Sequence, residues 1–132
     1  MPVSNAFYDL YRKISELVRL AEGDEEAMPL LKKLMNQMVL ESRQRNATII
    51  FVTLPDRKTV APNLWQQYLP DHYGKMAEDL KGDGYNVLDA RSVLRESGLL
   101  PEALFDADGT HYTSRGNRII AAALKDAIER LG

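Results

Sequence analysis

From Phe7 onward, apolar side chains recur three or four positions apart: Phe7, Leu10, Tyr11, Ile14, Leu17, Val18 and Ala21. An α-helix turns once every 3.6 residues, so this spacing lines all seven along one face and predicts a first helix that Gly23 ends. "DEEAMP" then opens a second helix, with acids at the positive end of its dipole and Pro29 in or near the first turn, where a missing N–H costs little. Leu31, Leu34, Met35 and Met38 form its apolar stripe. A methionine-rich face can serve as a partner groove, but at helical spacing it reads as core.

The pattern changes at residue 47. "ATIIFVTLP", residues 47–55, is an unbroken apolar run rich in β-branched side chains and stopped by Pro55. It predicts a strand covered on both faces, as in a parallel sheet between helices. After a loop through Pro62, residues 63–81 read as helix, marked by Leu64, Tyr68, Met76 and Leu80 and broken near Pro70. "GDGYNVLDARS" supplies a turn, a second strand over 85–89 and a short helix over 90–97. A last helix over 114–131 is expected to bury Ile119, Ile120, Ala123, Leu124, Ala127, Ile128 and Leu131.

Strands alternating with helices in this order predict an α/β layered fold with right-handed crossovers. Two short strands make a small or incomplete parallel sheet, against the about four to six strands usual for such folds. Either an early segment is extended despite its helical pattern, or the exposed strand edge pairs with another chain and makes a homo-oligomer.

Composition narrows the function classes. A chain of 132 residues, 45% hydrophobic, fits one α/β domain over residues 1–132. Its 17 basic and 19 acidic side chains are mixed along the sequence and leave a formal net charge of −2. No field of one sign arises, which argues against a nucleic-acid partner or an anionic membrane surface. With no cysteine there is neither a disulfide framework nor a thiolate metal site. Charged residues interrupt every window long enough to span a bilayer, and the start lacks a basic segment followed by an apolar run. The chain is therefore read as soluble, with no membrane span and the compartment open.

The candidate chemistry lies in "DADGTHYTSRGN", residues 106–117. A three-residue step from Asp108 to His111 lets the carboxylate meet the imidazole Nδ1–H, which fixes the tautomer and leaves Nε2 to take a proton from a hydroxyl nucleophile. The same residues also suit a polar turn in which Thr113 or Ser114 caps the last helix. "DADG" shares the start of a calcium loop, but His111 stands where that loop needs glycine, so no metal is expected. No glycine-rich phosphate loop occurs, and no cofactor is expected.

"LFDADGTHYTSRGNRIIAAALKDAI" resembles the C-terminal block of the SGNH (GDSL-type) hydrolase superfamily, in which a D-x-x-H loop precedes a last helix of small and aliphatic residues. "TIIFVTLPDRKTV" and "GYNVLDARSVL" are similar to its late strands, where a strand ending in an acid comes shortly before the histidine block. The similarity covers residues 47–131 in order of elements and residues 108–116 in motif. It implies a three-layer flavodoxin-like fold and the chemistry of serine esterases, lipases, carbohydrate deacetylases or O-acyltransferases on a small-molecule or carbohydrate ester. By the same resemblance, Asp108 is the triad acid and His111 the general base.

The chain departs from that family in lacking G-D-S. Its serines are Ser4, Ser15, Ser42, Ser92, Ser97 and Ser114, none of them in a strand-to-helix turn, and Asn5 alone could be the trace of an oxyanion block. A histidine without nucleophile and oxyanion donors gives little acyl transfer. The expectation is the C-terminal part of an SGNH-like domain, incomplete or inactive as an esterase without a nucleophile-bearing segment. The alternative is a non-catalytic, self-associating α/β module completed by a second copy. Four further features are weighed: His72 as a surface helix residue or a second catalytic base, Asp89 as a cap after the second strand or a group facing the site, Trp65 with Tyr68 and Tyr73 as core or pocket lining, and "PDRKT", residues 55–59, as a solvated loop or a contact for a substrate anion.

Overall fold

The computed structural model describes Tyr11, Arg12, Ile14 and residues 27–132. The chain divides into two compact units, Met1–Ile49 and Ile50–Gly132. Most of the predicted first helix and its Gly23 stop lie outside the described residues; Tyr11, Arg12 and Ile14 are helical, with Tyr11 exposed.

In the first unit, helix α1 spans Ala27–Gln44 with Pro29 in its first turn. Leu31 and Met35 are buried and Leu34 and Met38 half-buried, one face at helical spacing. The acids of "DEE" lie outside the described residues. Two residues past the helix end stands Asn46, whose φ of 55° is the left-handed conformation that asparagine tolerates better than most side chains.

The second unit runs through β1 (Phe51–Thr53), α2 (Arg57–Val60), a 3₁₀ turn (Gln66–Tyr68), α3 (His72–Gly82), β2 (Val87–Asp89), α4 (Ala90–Glu96), α5 (Pro101–Leu104) and α6 (Ser114–Leu131). Among the described residues the sheet consists of β1 and β2 in parallel, with Phe51 facing Val87, Val52 facing Leu88 and Thr53 facing Asp89. Helices flank this pair, which makes the unit a small α/β fold. No helix among the described residues is long and apolar enough to cross a membrane.

Three expectations need correction. The run 47–55 yields only three strand residues, half-buried apart from Thr53, because a strand extends only as far as its partner and β2 starts at Val87 after the turn at Gly84. Residues 63–81 break near Pro70 as expected, but the part before the break is a short 3₁₀ turn rather than a helix. Asn63 and Gln66 cap each other reciprocally, each side-chain oxygen accepting the other's backbone N–H at 2.9 Å, and this makes a separate turn before Asp71 starts α3 by accepting the Gly74 N–H. The turn turns Leu64, Trp65, Tyr68 and Leu69 outward, with Trp65 83% and Tyr68 87% exposed, so the expected apolar marks Leu64 and Tyr68 are not core. In α6 the boundaries match the expectation, but of the named stripe only Ile120 is buried; Ile119, Ala123, Leu124 and Ala127 are half-buried, and Ile128 and Leu131 are exposed.

The core of this unit comprises Val60, Ala90, Leu94, Leu104, Phe105 and Ile120, with Val52, Leu99, Tyr112 and Ile119 packed around them. Helix α4 is central: it meets β1, α2 and α6, while α3 and α6 meet β2. Helix α5 abuts the start of α6 at Gly116, where a Cβ would stand 2.4 Å from the Leu104 carbonyl oxygen. Alanine at a helix position normally gains up to about 1 kcal/mol over glycine, but here the obstacle is backbone. Gly116→Ala is therefore expected to destabilise the protein by about 1–3 kcal/mol, the usual effect of overpacking. A urea midpoint unchanged or raised would show that the α5–α6 contact is looser than described.

Candidate functional site

The loop between α5 and α6 is shaped first by its own hydrogen bonds. Phe105 and Tyr112 form an antiparallel bridge, the Asp106 N–H donates to the His111 carbonyl at 2.8 Å, and the Gly109 N–H donates to the Asp106 carbonyl at 2.9 Å. Gly109 takes φ 72°, the left-handed turn that glycine adopts without strain. Asp108 accepts the backbone N–H groups of Thr110 and His111 on Oδ1 at 2.9 and 3.0 Å, the local turn that aspartate favours. Its other oxygen, Oδ2, pairs with His111 Nδ1. The turn and the ion pair are thus one arrangement, and both readings of this stretch hold together.

With Nδ1–H directed at the carboxylate, Nε2 is the proton-accepting nitrogen. The His111 side chain is 76% exposed, so the imidazole stands in water rather than in packing. Thr113 is the cap of α6: its Oγ1 accepts the Gly116 N–H at 3.1 Å and donates to the Ala103 carbonyl at 2.6 Å. Ser114 is the first helical residue and does not cap.

The loop sits against the segment that follows β1. Tyr112 donates its hydroxyl proton to the Pro55 carbonyl, and the Arg57 N–H donates to the Gly109 carbonyl at 2.9 Å. The pair therefore lies past the carboxyl end of a parallel strand, where open α/β folds gather ligands. Of "PDRKT", Asp56 caps α2 through Thr59, and Arg57 pairs with Glu102 at 2.6 Å.

A second polar cluster joins the ends of both strands; from it the sequence singled out Asp89, as a cap or a group facing the site, and Tyr73, as core or pocket lining. Thr53 ends β1 and Asp89 ends β2. The Tyr73 hydroxyl from α3 lies between them, 2.6 Å from Thr53 Oγ1 and 2.9 Å from Asp89 Oδ1. Asp89 caps α4 by accepting the N–H groups of Arg91 and Ser92. Arg91, with only 11% of its side chain exposed, lies over the Tyr73 ring at 4.7 Å and pairs with Asp71 at 2.7 Å. Burial pushes the Tyr73 phenol well above its ordinary range. Burial also acts to raise Asp89, but hydrogen bonds from Ser92, Tyr73 and the Arg91 backbone outweigh it and hold the carboxyl below its usual value. Beside this cluster lies an open polar cleft of about 430 Å³, lined by Asp71, Gly74, Lys75, Asp89, Arg91 and Ser92 among others; Asp108 and His111 do not line it. The acid at the end of the second predicted strand was a sequence signal for this cluster.

No serine among the described residues is hydrogen-bonded to His111. Ser42, Ser92 and Ser97 are engaged locally with the Val39 carbonyl, Asp89 Oδ2 and the Leu94 carbonyl. Ser4, Asn5 and Ser15 lie outside the described residues. His72 is exposed at the start of α3. Trp65 and Tyr68 are on the surface turn, apart from the half-buried Tyr73.

Hydrogen bonds from the His111 backbone, the His111 ring and the Thr110 backbone hold the Asp108 carboxyl below the usual carboxylate range. The Asp108 hydrogen bond raises His111, with a smaller push from Asp106. The depressed acid contributes above its unfolded value near 3.9 and loses its contribution as pH falls; the raised histidine contributes below about 6.5 and loses its contribution as pH rises through its folded value. The pair's stabilising contribution is thus fully present between about pH 4 and pH 6.5. The His111 imidazole proton signals, followed by NMR, should titrate above about 6.5 and move down in Asp108→Asn; a wild-type midpoint at or below 6.5 would mean that the pair does not form in solution.

In comparisons with protein-family models, curated proteins and solved structures, nothing matches this chain.

Proposed function

We propose that Asp108 and His111 are the acid–base half of an SGNH-like hydrolase site for ester or O-acyl chemistry on a small-molecule or carbohydrate substrate. The observation that carries this is the Oδ2–Nδ1 contact with the opposite ring nitrogen in solvent. Its setting supports it: the loop lies past the end of β1 and directly before the last helix, and β2 ends in an acid. On this reading β1 and β2 are late strands of a flavodoxin-like three-layer sheet.

His111 Nε2 takes the proton of an attacking hydroxyl as the new C–O bond forms at the acyl carbon. Asp108 stabilises the resulting imidazolium, and the same proton then passes to the leaving alkoxide as its bond to the acyl carbon breaks. Hydroxyl and oxyanion donors belong to a nucleophile-bearing segment outside the described residues; without them the pair supplies little rate.

The test is hydrolysis of p-nitrophenyl acetate and of an O-acetylated sugar by the longest natural polypeptide containing these residues. His111→Ala should lower kcat/KM by about 100-fold or more, the usual contribution of a general base. An unchanged rate in that variant, or no hydrolysis above that of free imidazole in the parent, overturns the assignment.

A second reading, a non-catalytic module completed by another copy, is favoured by the two-stranded sheet, in which each strand has one neighbour among the described residues, and by the outward Leu64, Trp65, Tyr68 and Leu69. Sedimentation at micromolar concentration should then find a dimer or larger; a folded monomer counts against it.

A further inference from the structure

The bonds within the Asp106–His111 loop fix its shape, but they do not fix where that shape stands. Placement comes from the Phe105–Tyr112 base and from two contacts at and beside the tip, both made with the segment after β1. One is the Tyr112 hydroxyl on the Pro55 carbonyl; the other is the Arg57 N–H on the Gly109 carbonyl at 2.9 Å. Tyr112 is anchored by its ring, 5.1 Å from that of Phe105 in the core, and burial together with Asp56 raises its phenol to about 12, so it stays a proton donor throughout the neutral range. Arg57 is anchored as the first residue of α2, and its side chain packs on Gly109, its Cβ 3.5 Å from where a Gly109 Cβ would stand.

We propose that Pro55–Arg57 is a two-point clamp that sets the position of the His111 imidazole, with Tyr112 and Arg57 as positioning residues, the first through its hydroxyl and the second through its main-chain N–H. The inference rests on the acid–base reading of Asp108 and His111. It separates two functions in one loop: Asp108 orients the ring relative to the loop, and the clamp orients the loop relative to the strand ends. A general base needs both, since a shift of about 1 Å in a reacting group can cost about 100-fold in rate.

The two contacts can be removed singly with little other change. Tyr112→Phe deletes the hydroxyl and keeps the ring. Arg57→Pro deletes the N–H at the first helical position, where proline is well accepted, and Asp56 already has the extended backbone (φ −84°, ψ 176°) that a residue before proline requires. Arg57→Ala removes the same side chain but retains the N–H, and serves as the rescue control. The measurement is ¹⁵N relaxation of the amides of residues 108–111, with the His111 ring titration followed in the same samples.

In the wild type and in Arg57→Ala the loop amides should show order parameters near 0.85, and in Tyr112→Phe and Arg57→Pro they should fall toward 0.6 or broaden by exchange. The ring titration should stay raised in all three variants, because the Asp108 contact is internal to the loop, and should fall only in Asp108→Asn. A loop as ordered in Tyr112→Phe and Arg57→Pro as in the wild type overturns the clamp. If Tyr112→Phe does not fold, the comparison of Arg57→Pro with Arg57→Ala decides alone. A titration that Asp108→Asn leaves unmoved would instead overturn the acid–base pair, so the two failures are distinguishable.

Discussion

The second unit depends on how the carboxyl ends of two very short strands are held together. Three residues on each side give few ladder hydrogen bonds, too little to fix a parallel pair by itself. The Tyr73 hydroxyl supplies a cross-tie from α3, touching Thr53 at the end of β1 and Asp89 at the end of β2. Asp89 passes the constraint on by capping α4, the helix on which β1, α2 and α6 all pack. A single phenol thus aligns both strands with the central helix, and Arg91 over its ring, paired with Asp71, ties the cluster to the start of α3. The network leaves no buried side-chain polar atom without a partner among the described residues, as a stable polar cluster requires.

That alignment is what gives the candidate site its floor. Pro55 and Arg57 follow directly from β1, so whatever fixes the strand end also fixes the two groups that receive the histidine loop. Asp108 has a local task and a chemical one at the same time: one oxygen closes the turn and the other holds the imidazole. The geometry of the pair therefore needs no distant support, while its location does.

What could be read from the sequence follows this division between local and distant. The bounds of α6 were legible because a 3.6-residue repeat and a hydroxyl cap are both local signals. The Asp108–His111 contact was legible because a three-residue step is closed by the turn itself. That a strand lies near residue 52 was legible, but its length and its half-buried setting were not, since these are decided by a partner 36 residues away. The stretch before Pro70 misled because apolar spacing does not reveal the Asn63–Gln66 caps that start a separate turn. Tyr73 and Tyr112 were missed as organisers for a similar reason: their hydroxyls meet partners 16 to 57 residues distant, and nothing in the neighbouring letters announces such bonds.

The turn at Leu64–Leu69 has an optical consequence. Trp65 is the sole tryptophan of the chain, and it stands on the water side of a capped turn. In most domains indole emission reports the interior and shifts when the interior opens. Here the fluorophore is already solvated in the native state, so its colour is nearly blind to loss of the core and tuned instead to anything that comes to rest on that turn.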